Sequence, residues 1–215
     1  FDFDFDGDLY FDGKNLNGSG LLSSSNYFIE SSHYYFTYES IMSADANFNF
    51  CYLGNRDNID LIGLGVTVEH DLLSDSVNLF QNNNNWILPA INYSLDFESV
   101  VIDLNSFQLK FNNIDLINEG ELIVDKYNKS FYYNALSAVY SLSESELCID
   151  GVFPLSFKKF WLQPANNSFC VLKSGLFPLF KNATIIKKRR ILKDKLLNSR
   201  DVEIKKSLKL SIIND

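Results

Sequence analysis

Histidine, methionine and proline are scarce in this 215-residue chain, at two, one and four respectively. The three cysteines, Cys51, Cys148 and Cys170, lie far apart with no Cys-x-x-Cys spacing. With only His33 and His70 beside them, a zinc site of the usual ligand spacing is excluded, and no metal or other cofactor is expected. No apolar run approaches the ~18–20 residues of a membrane-crossing helix. A Gly-x-Ser-x-Gly elbow is absent, and Gly18-Ser19-Gly20 lacks the lysine and the following helix of a phosphate loop. Basic residues are rare over most of the length. Residues 1–180 hold 8 Lys and Arg against 23 Asp and Glu, whereas residues 181–215 hold 11 against 4. So acidic a body repels phosphate, and the aromatic-basic interleaving of an RNA-binding sheet is missing, which excludes nucleic acid as a partner. The basic cluster Lys187-Lys188-Arg189-Arg190 reads as a solvated strand face or a contact with the acidic body.

What is abundant is aromatic and aliphatic. The chain is 46% hydrophobic, with 19 Phe and 11 Tyr, so it carries enough apolar surface for a sizeable core and is not disordered. From Phe1 to Phe11 the apolar and acidic residues alternate, with Phe1, Phe3 and Phe5 set against Asp2, Asp4 and Asp6. A two-residue period places the rings on one face of a strand and the carboxylates on the other. Weaker alternation recurs at about 8–12-residue spacing, as in Leu61–Val68, Val77–Phe80, Val100–Leu104, Phe107–Phe111 and Glu146–Ile149. Turn chemistry separates the runs at Asp12-Gly13, Asn17-Gly18, Asn112-Asn113 and Asp150-Gly151. Helical signals are few. Arg190–Ser199 has spacing that suits either one or two helical turns or a strand pair.

The fold expected is all-β: an elongated stack of short antiparallel strands, solenoid-like, taco-like or sandwich-like, with little helix. The organisation expected is a β-repeat region over 1–111 and a second over 112–215, continuous with the first. Because both ends fall within strand patterns, the chain reads as a piece of something longer.

No constellation specifies a reaction. Asp2-x-Asp4-x-Asp6-Gly7-Asp8 imitates the start of a calcium loop, but Gly13 stands where the bidentate acid belongs and phenylalanines fill the intervening positions. A strand with an acidic outer face explains it, and such a face discourages pairing with its own kind. Asp96, Glu98 and Asp103 are explained as outward strand positions beside Leu95 and Phe97. His70, after Val66-Thr67-Val68-Glu69, is expected to point outward. Trp86 and Trp161 are the candidate ligand-binding residues, as sugar-stacking platforms, although core packing is the plainer role. A Cys148–Cys170 disulfide is open in an oxidising compartment, with buried free thiols the plainer reading. Asn-x-Ser/Thr triplets at Asn17, Asn92, Asn128, Asn166 and Asn182 follow from an Asn- and Ser-rich composition.

Three stretches carry a family resemblance. Tyr10–Phe50 has a Gly-Ser-Gly-Leu turn, a strand and a Ser-Ala-Asp-Ala-x-Phe ending. Gly65–Phe111 pairs a strand with an Asn-rich turn and an aromatic-aliphatic-Pro step. Ser130–Val152, with Leu162–Ile186, repeats the style. Together they resemble units of very large, uncharacterised, repetitive β-rich cell-envelope proteins of Bacteroidota. A weaker similarity is to the β repeats of OstA- and TamB-like lipid-transport proteins, whose open sheets present an apolar groove to acyl chains. The resemblance implies a non-enzymatic structural or scaffold segment in the cell envelope (periplasm, outer membrane or cell surface). Its partners would be other envelope proteins or the rest of its own chain, with lipid a further candidate. A lipid-transfer groove and a secreted glycan-binding module are the alternatives. The family has no established activity, so it assigns no functional residues.

Overall fold

Alternation of apolar and polar residues, broken by Asp-, Asn-, Ser- and Gly-rich turns, builds strands almost everywhere. A computed structural model of the chain describes residues 3–52, 54, 57–113, 120–126, 129–156, 160–172, 179–187, 195–204 and 210–212. Five strands of eight to eleven residues come first: β1 (Asp4–Phe11), β2 (Leu16–Ser23), β3 (Tyr27–Phe36), β4 (Ser40–Phe50) and β5 (Leu61–Asp71). Shorter ones follow: β6 (Ser76–Phe80), β7 (Trp86–Leu88), β8 (Tyr93–Asp96), β9 (Ser99–Asp103) and β10 (Gln108–Asn112). Next come β11 (Gly120–Lys126), β12 (Lys129–Ala135), β13 (Ser137–Ser141), β14 (Glu146–Asp150), β15 (Leu155–Ser156), β16 (Phe160–Gln163) and β17 (Phe169–Leu172). The last are β18 (Leu179–Lys187), β19 (Lys195–Ile204) and β20 (Leu210–Ile212). A 3-10 turn at Ala165–Asn167 is the sole helical element among the described residues. The fold is all-β.

Every pairing among the described strands is antiparallel, and neighbours in sequence are mostly neighbours in space. One 15-stranded sheet runs in the order β1-β2-β3-β4-β5-β6-β9-β10-β13-β14-β17, and a five-stranded sheet runs β15-β16-β18-β19-β20. The large sheet forks at β5. The end of β5 (Thr67–Asp71) pairs with β6, whereas its start touches β7 through Ile62 and Ile87, and β7 leads on to β8, β11 and β12. Position 112 lies within this pairing, since Asn112 of β10 faces Ser137 of β13.

Register turns the sequence pattern into continuous rows across eleven strands. One row runs Leu9, Gly18, Tyr34, Ser43, Val68, Leu79, Val100, Phe111, Ala138, Ile149, Phe169, and all but Leu9 are buried. The row one residue along faces the other way: Tyr10, Asn17, Tyr35, Met42, Glu69, Asn78, Val101, Lys110, Val139, Cys148, Cys170. With a side-chain period of two, a one-residue slip would exchange these faces, so the core specifies the register. A single apolar cluster joins both limbs of the fork and the small sheet, from Leu22 and Phe48 through Trp86 and Phe97 to Leu162 and Ile185. Phe97, just after β8, meets Phe111 of β10 with ring centroids 6.2 Å apart.

Three hairpins of the main limb share one turn. Asp71 accepts from the N–H groups of Leu73 and Ser74, and Asp103 from those of Asn105 and Ser106. Each carboxylate also accepts from the serine hydroxyl three residues on, and these bonds hold both acids below the usual carboxylate range. Asp75, Phe107 and Ser145 then take left-handed conformations (φ 55°, 52° and 52°) to lead back into the second strand. Asp103 is thus a turn-capping acid. Nearer the start of the chain, the close approach of β1 and β2 requires Gly20 (φ +143°), where a Cβ would stand 2.3 Å from the Asp6 carbonyl oxygen.

One expectation changes here, and one open alternative is decided. Cys148 and Cys170 form a disulfide across β14 and β17, and Cys170 is exposed, so this pair is not a pair of buried thiols. Register explains it: the two residues are direct partners on the same outward row, with Cα atoms 4.0 Å apart. Cys51 is a buried free cysteine. Over 195–199 the helical alternative for Arg190–Ser199 gives way to strand, because β19 pairs with β18 on one side and β20 on the other. Residues 190–194, like Lys188-Arg189-Arg190 of the basic cluster, lie outside the described residues.

Candidate functional site

The two tryptophans have different fates. Trp86, on β7, is 0% exposed, and its indole Nε1–H donates to the Phe97 carbonyl at 2.7 Å. A Cβ on Gly63 would lie 2.7 Å from its ring, so the neighbouring β5 backbone is pressed against it. No ring face is open to a sugar, which corrects the stacking role considered for Trp86. Trp161, on β16 of the small sheet, is 37% exposed and lies across from Ser156 and Ile186. Asp96 is exposed and accepts from the Gln81 amide at 2.8 Å, while Leu95 and Phe97 are buried.

His70 is also corrected. It is 1% exposed and shares the inward parity of Val66 and Val68, with Ile41 and Val77 as its cross-strand partners. Strict alternation from Val66 through Val68 leads inward at position 70, and the polarity of imidazole does not override it. Its Nδ1 shares a 2.6 Å hydrogen bond with the Tyr27 hydroxyl, from the start of β3. Phe3 meets the imidazole edge-on at 5.6 Å, and Tyr27 stacks on Phe48 at 5.5 Å.

Phe3, Tyr27 and His70 line a crevice of about 170 Å³ that also holds Ser24, Asn26 and Asp75. Asp75 is half-buried, and its Oδ1 is enclosed with no hydrogen-bond partner among the described residues. Burial lowers the His70 pKa, against the opposing pull of Asp75 and then Asp71, and burial raises that of Tyr27. At neutral pH both rings are therefore uncharged. Although serine, histidine and aspartate share the crevice, the roles differ from a nucleophilic triad. Imidazole Nδ1 meets a phenol, and the Ser24 hydroxyl accepts from the backbone N–H groups of Asn26 and Tyr27. The arrangement is a hydrogen-bonded plug in the core.

A larger cavity lies elsewhere. A cleft of about 740 Å³ is lined by Tyr52, Asp57, Asp60, Pro89, Ser143 and Ser145, among others. Asp60 accepts from the Tyr52 N–H at 2.9 Å, and Tyr52 packs edge-on against Phe107 at 4.8 Å. Burial, aided by the Asp60 charge, pushes the Tyr140 hydroxyl up to about 12. The cleft offers a concave, mixed polar and apolar surface of ordinary ligand-site size. Neither tryptophan lines it.

A third grouping, Glu146 with Cys148 and Cys170, has ligand atoms within 4.8 Å of one another. The two sulfurs are bonded to each other, which withdraws them as thiolate ligands. Tyr27 with His70, and Tyr52 with Asp57 and Asp60, were not singled out in the sequence. The first pair spans 43 positions, and only the pairing of β3, β4 and β5 joins it. Compared with known proteins, the chain matches no family model, no curated protein and no solved structure.

Proposed function

We propose that this chain is a non-enzymatic structural segment of a large bacterial cell-envelope protein. The observation that carries the reading is the filled interior. Ten consecutive inward positions, Gly18 to Phe169, are closed over by the protein's own side chains, so the main apolar face serves as core and not as a trough for acyl chains. The Cys148–Cys170 disulfide suits an oxidising compartment such as a periplasm or cell surface. Partners of such a segment are other envelope proteins or further parts of its own chain.

The test is lipid extraction and native mass spectrometry of the protein purified from membranes, with fractionation of the producing cells. The expected result is recovery in the envelope fraction with no stoichiometric acyl lipid. Recovery in the cytosol sinks the envelope assignment, and a copurifying lipid sinks the scaffold reading in favour of lipid carriage. Glycan binding is a second reading, supported by the cleft with Tyr52 beside Asp57 and Asp60. Saccharide-induced protection of 52–60 from hydrogen exchange is its test.

A further inference from the structure

Burial along the large sheet stops at one end. In the inward row that starts at Leu9, the ten positions from Gly18 to Phe169 are buried, yet Leu9 is 53% exposed. The next inward row runs Phe11, Leu16, Phe36, Ile41, His70 and on to Val171. It is buried from Ile41 onward, but Phe11 is 68% exposed and Leu16 40%. Apolar side chains therefore continue past the point where the described residues cover them. On the opposite face of the same strand Asp4, Asp6 and Asp8 are exposed.

Among the described residues β1 pairs only with β2 and ends the sheet. Alternate residues of such an edge strand direct their N–H and C=O groups outward, a template for one more strand. The geometry points to the free edge of β1 as a strand-addition site for an extended segment that alternates apolar with basic residues. Main-chain hydrogen bonds supply the pairing, and side-chain alternation supplies the selectivity. On the inward face the added apolar residues flank Leu9 and Phe11, as Gly18 and Leu16 do from the other side. On the outward face lysines or arginines lie against the row of Asp4, Asp6 and Asp8, where opposite charges across strands attract. The same row repels a second copy of β1, so the acids select the partner instead of merely blocking the edge. The site rests on the geometry of β1 alone, whatever the compartment or larger role.

The experiment uses the full chain with three end-blocked peptides as long as the eight-residue β1, alternating Lys-Val, Thr-Val or Glu-Val. Binding is read by calorimetry at low salt, where screening is weakest, and located by hydrogen exchange. The expected result is that the Lys-Val peptide protects the amides of residues 4–11. The Thr-Val peptide should bind at least about tenfold more weakly, and the Glu-Val peptide not measurably. In Asp4→Lys/Asp6→Lys/Asp8→Lys the preference should invert towards Glu-Val, with circular dichroism confirming that the exposed changes leave the fold intact. Protection elsewhere, equal binding of the Thr-Val peptide or an unchanged preference in the charge-reversed protein would each overturn the proposal. So would dimerisation through β1 without peptide.

Discussion

Phe111 and Phe11 both point to the inner side of the same sheet, yet one is sealed and the other is two-thirds exposed. The middle of the sheet, from β5 to β14, and its β1–β2 end carry the same two-residue alternation. In the middle, the fork at β5 brings Trp86, Leu95 and Phe97 to the inner face, and burial there is complete. At the edge the alternation is sharper, but the described structure places no layer over Leu9, Phe11 and Leu16. Alternation decides which way a side chain points. Whether that direction is core or surface depends on what another part of the chain lays over it.

The strongest test of that contrast is Phe111→Ala, which removes a buried ring and leaves a cavity. An expected loss of about 3–5 kcal/mol should appear as a lower urea midpoint. A loss under ~1 kcal/mol would mean that the middle is not the well-packed region. Next is the covalent link at the far end of the same rows. Cys148→Ser/Cys170→Ser opens a bridge over a separation of 22 residues and should cost about 3 kcal/mol, while reducing agent lowers wild type to the same level. Gly63→Ala comes third. Its Cβ would stand 2.7 Å from the Trp86 ring and 3.1 Å from Val66, so overpacking of about 1–3 kcal/mol is expected, with Trp86 fluorescence reporting the shift.

The fourth concerns His70. Its folded pKa lies below the unfolded value, so the unfolded chain binds the extra proton, and stability falls as pH drops below about 6.5. The carboxylates with lowered pKa, Asp12, Asp71 and Asp103, act in the same direction only at more acidic pH. Denaturation between pH 8 and 5 should show the loss, and His70→Phe should flatten it. An unchanged slope in that variant would remove His70 as the cause. The smallest effect completes the comparison. Phe11→Ala should stay within about 0.5 kcal/mol of wild type, and a cost comparable to that of Phe111→Ala would show that the edge is covered after all.

Much of the architecture was legible from local pattern. Turn residues and alternation located most strands, because both act over a few neighbours. The core role of Trp86 was legible as well, since a large indole between short apolar runs is seldom left outside. The outward position expected of His70 fails because its parity with Val66 and Val68 leads inward whatever its polarity. A phenol 43 positions away makes the inward placement tolerable, and no local signal announces that phenol. The disulfide was open for a related reason. Cys148 and Cys170 are partners only once β14 and β17 are paired in one register, and neither strand's own sequence names its neighbour. For 195–199, spacing alone left helix and strand equally open, and pairing of β19 with β18 and β20 decided for strand.

By itself the sequence determined the all-β class, the acidic body with its basic C-terminal stretch, and the two unlike faces of β1. These follow from period, composition and charge, which are properties of short segments. Tertiary structure alone decided the fork at β5, the Tyr27–His70 plug, the Cys148–Cys170 bond and the exposure of the apolar end at Leu9 and Phe11 among the described residues. Each of these depends on strands distant in the chain meeting in one register. The free energy that selects such a meeting comes from burying shared apolar surface, which no single segment can express.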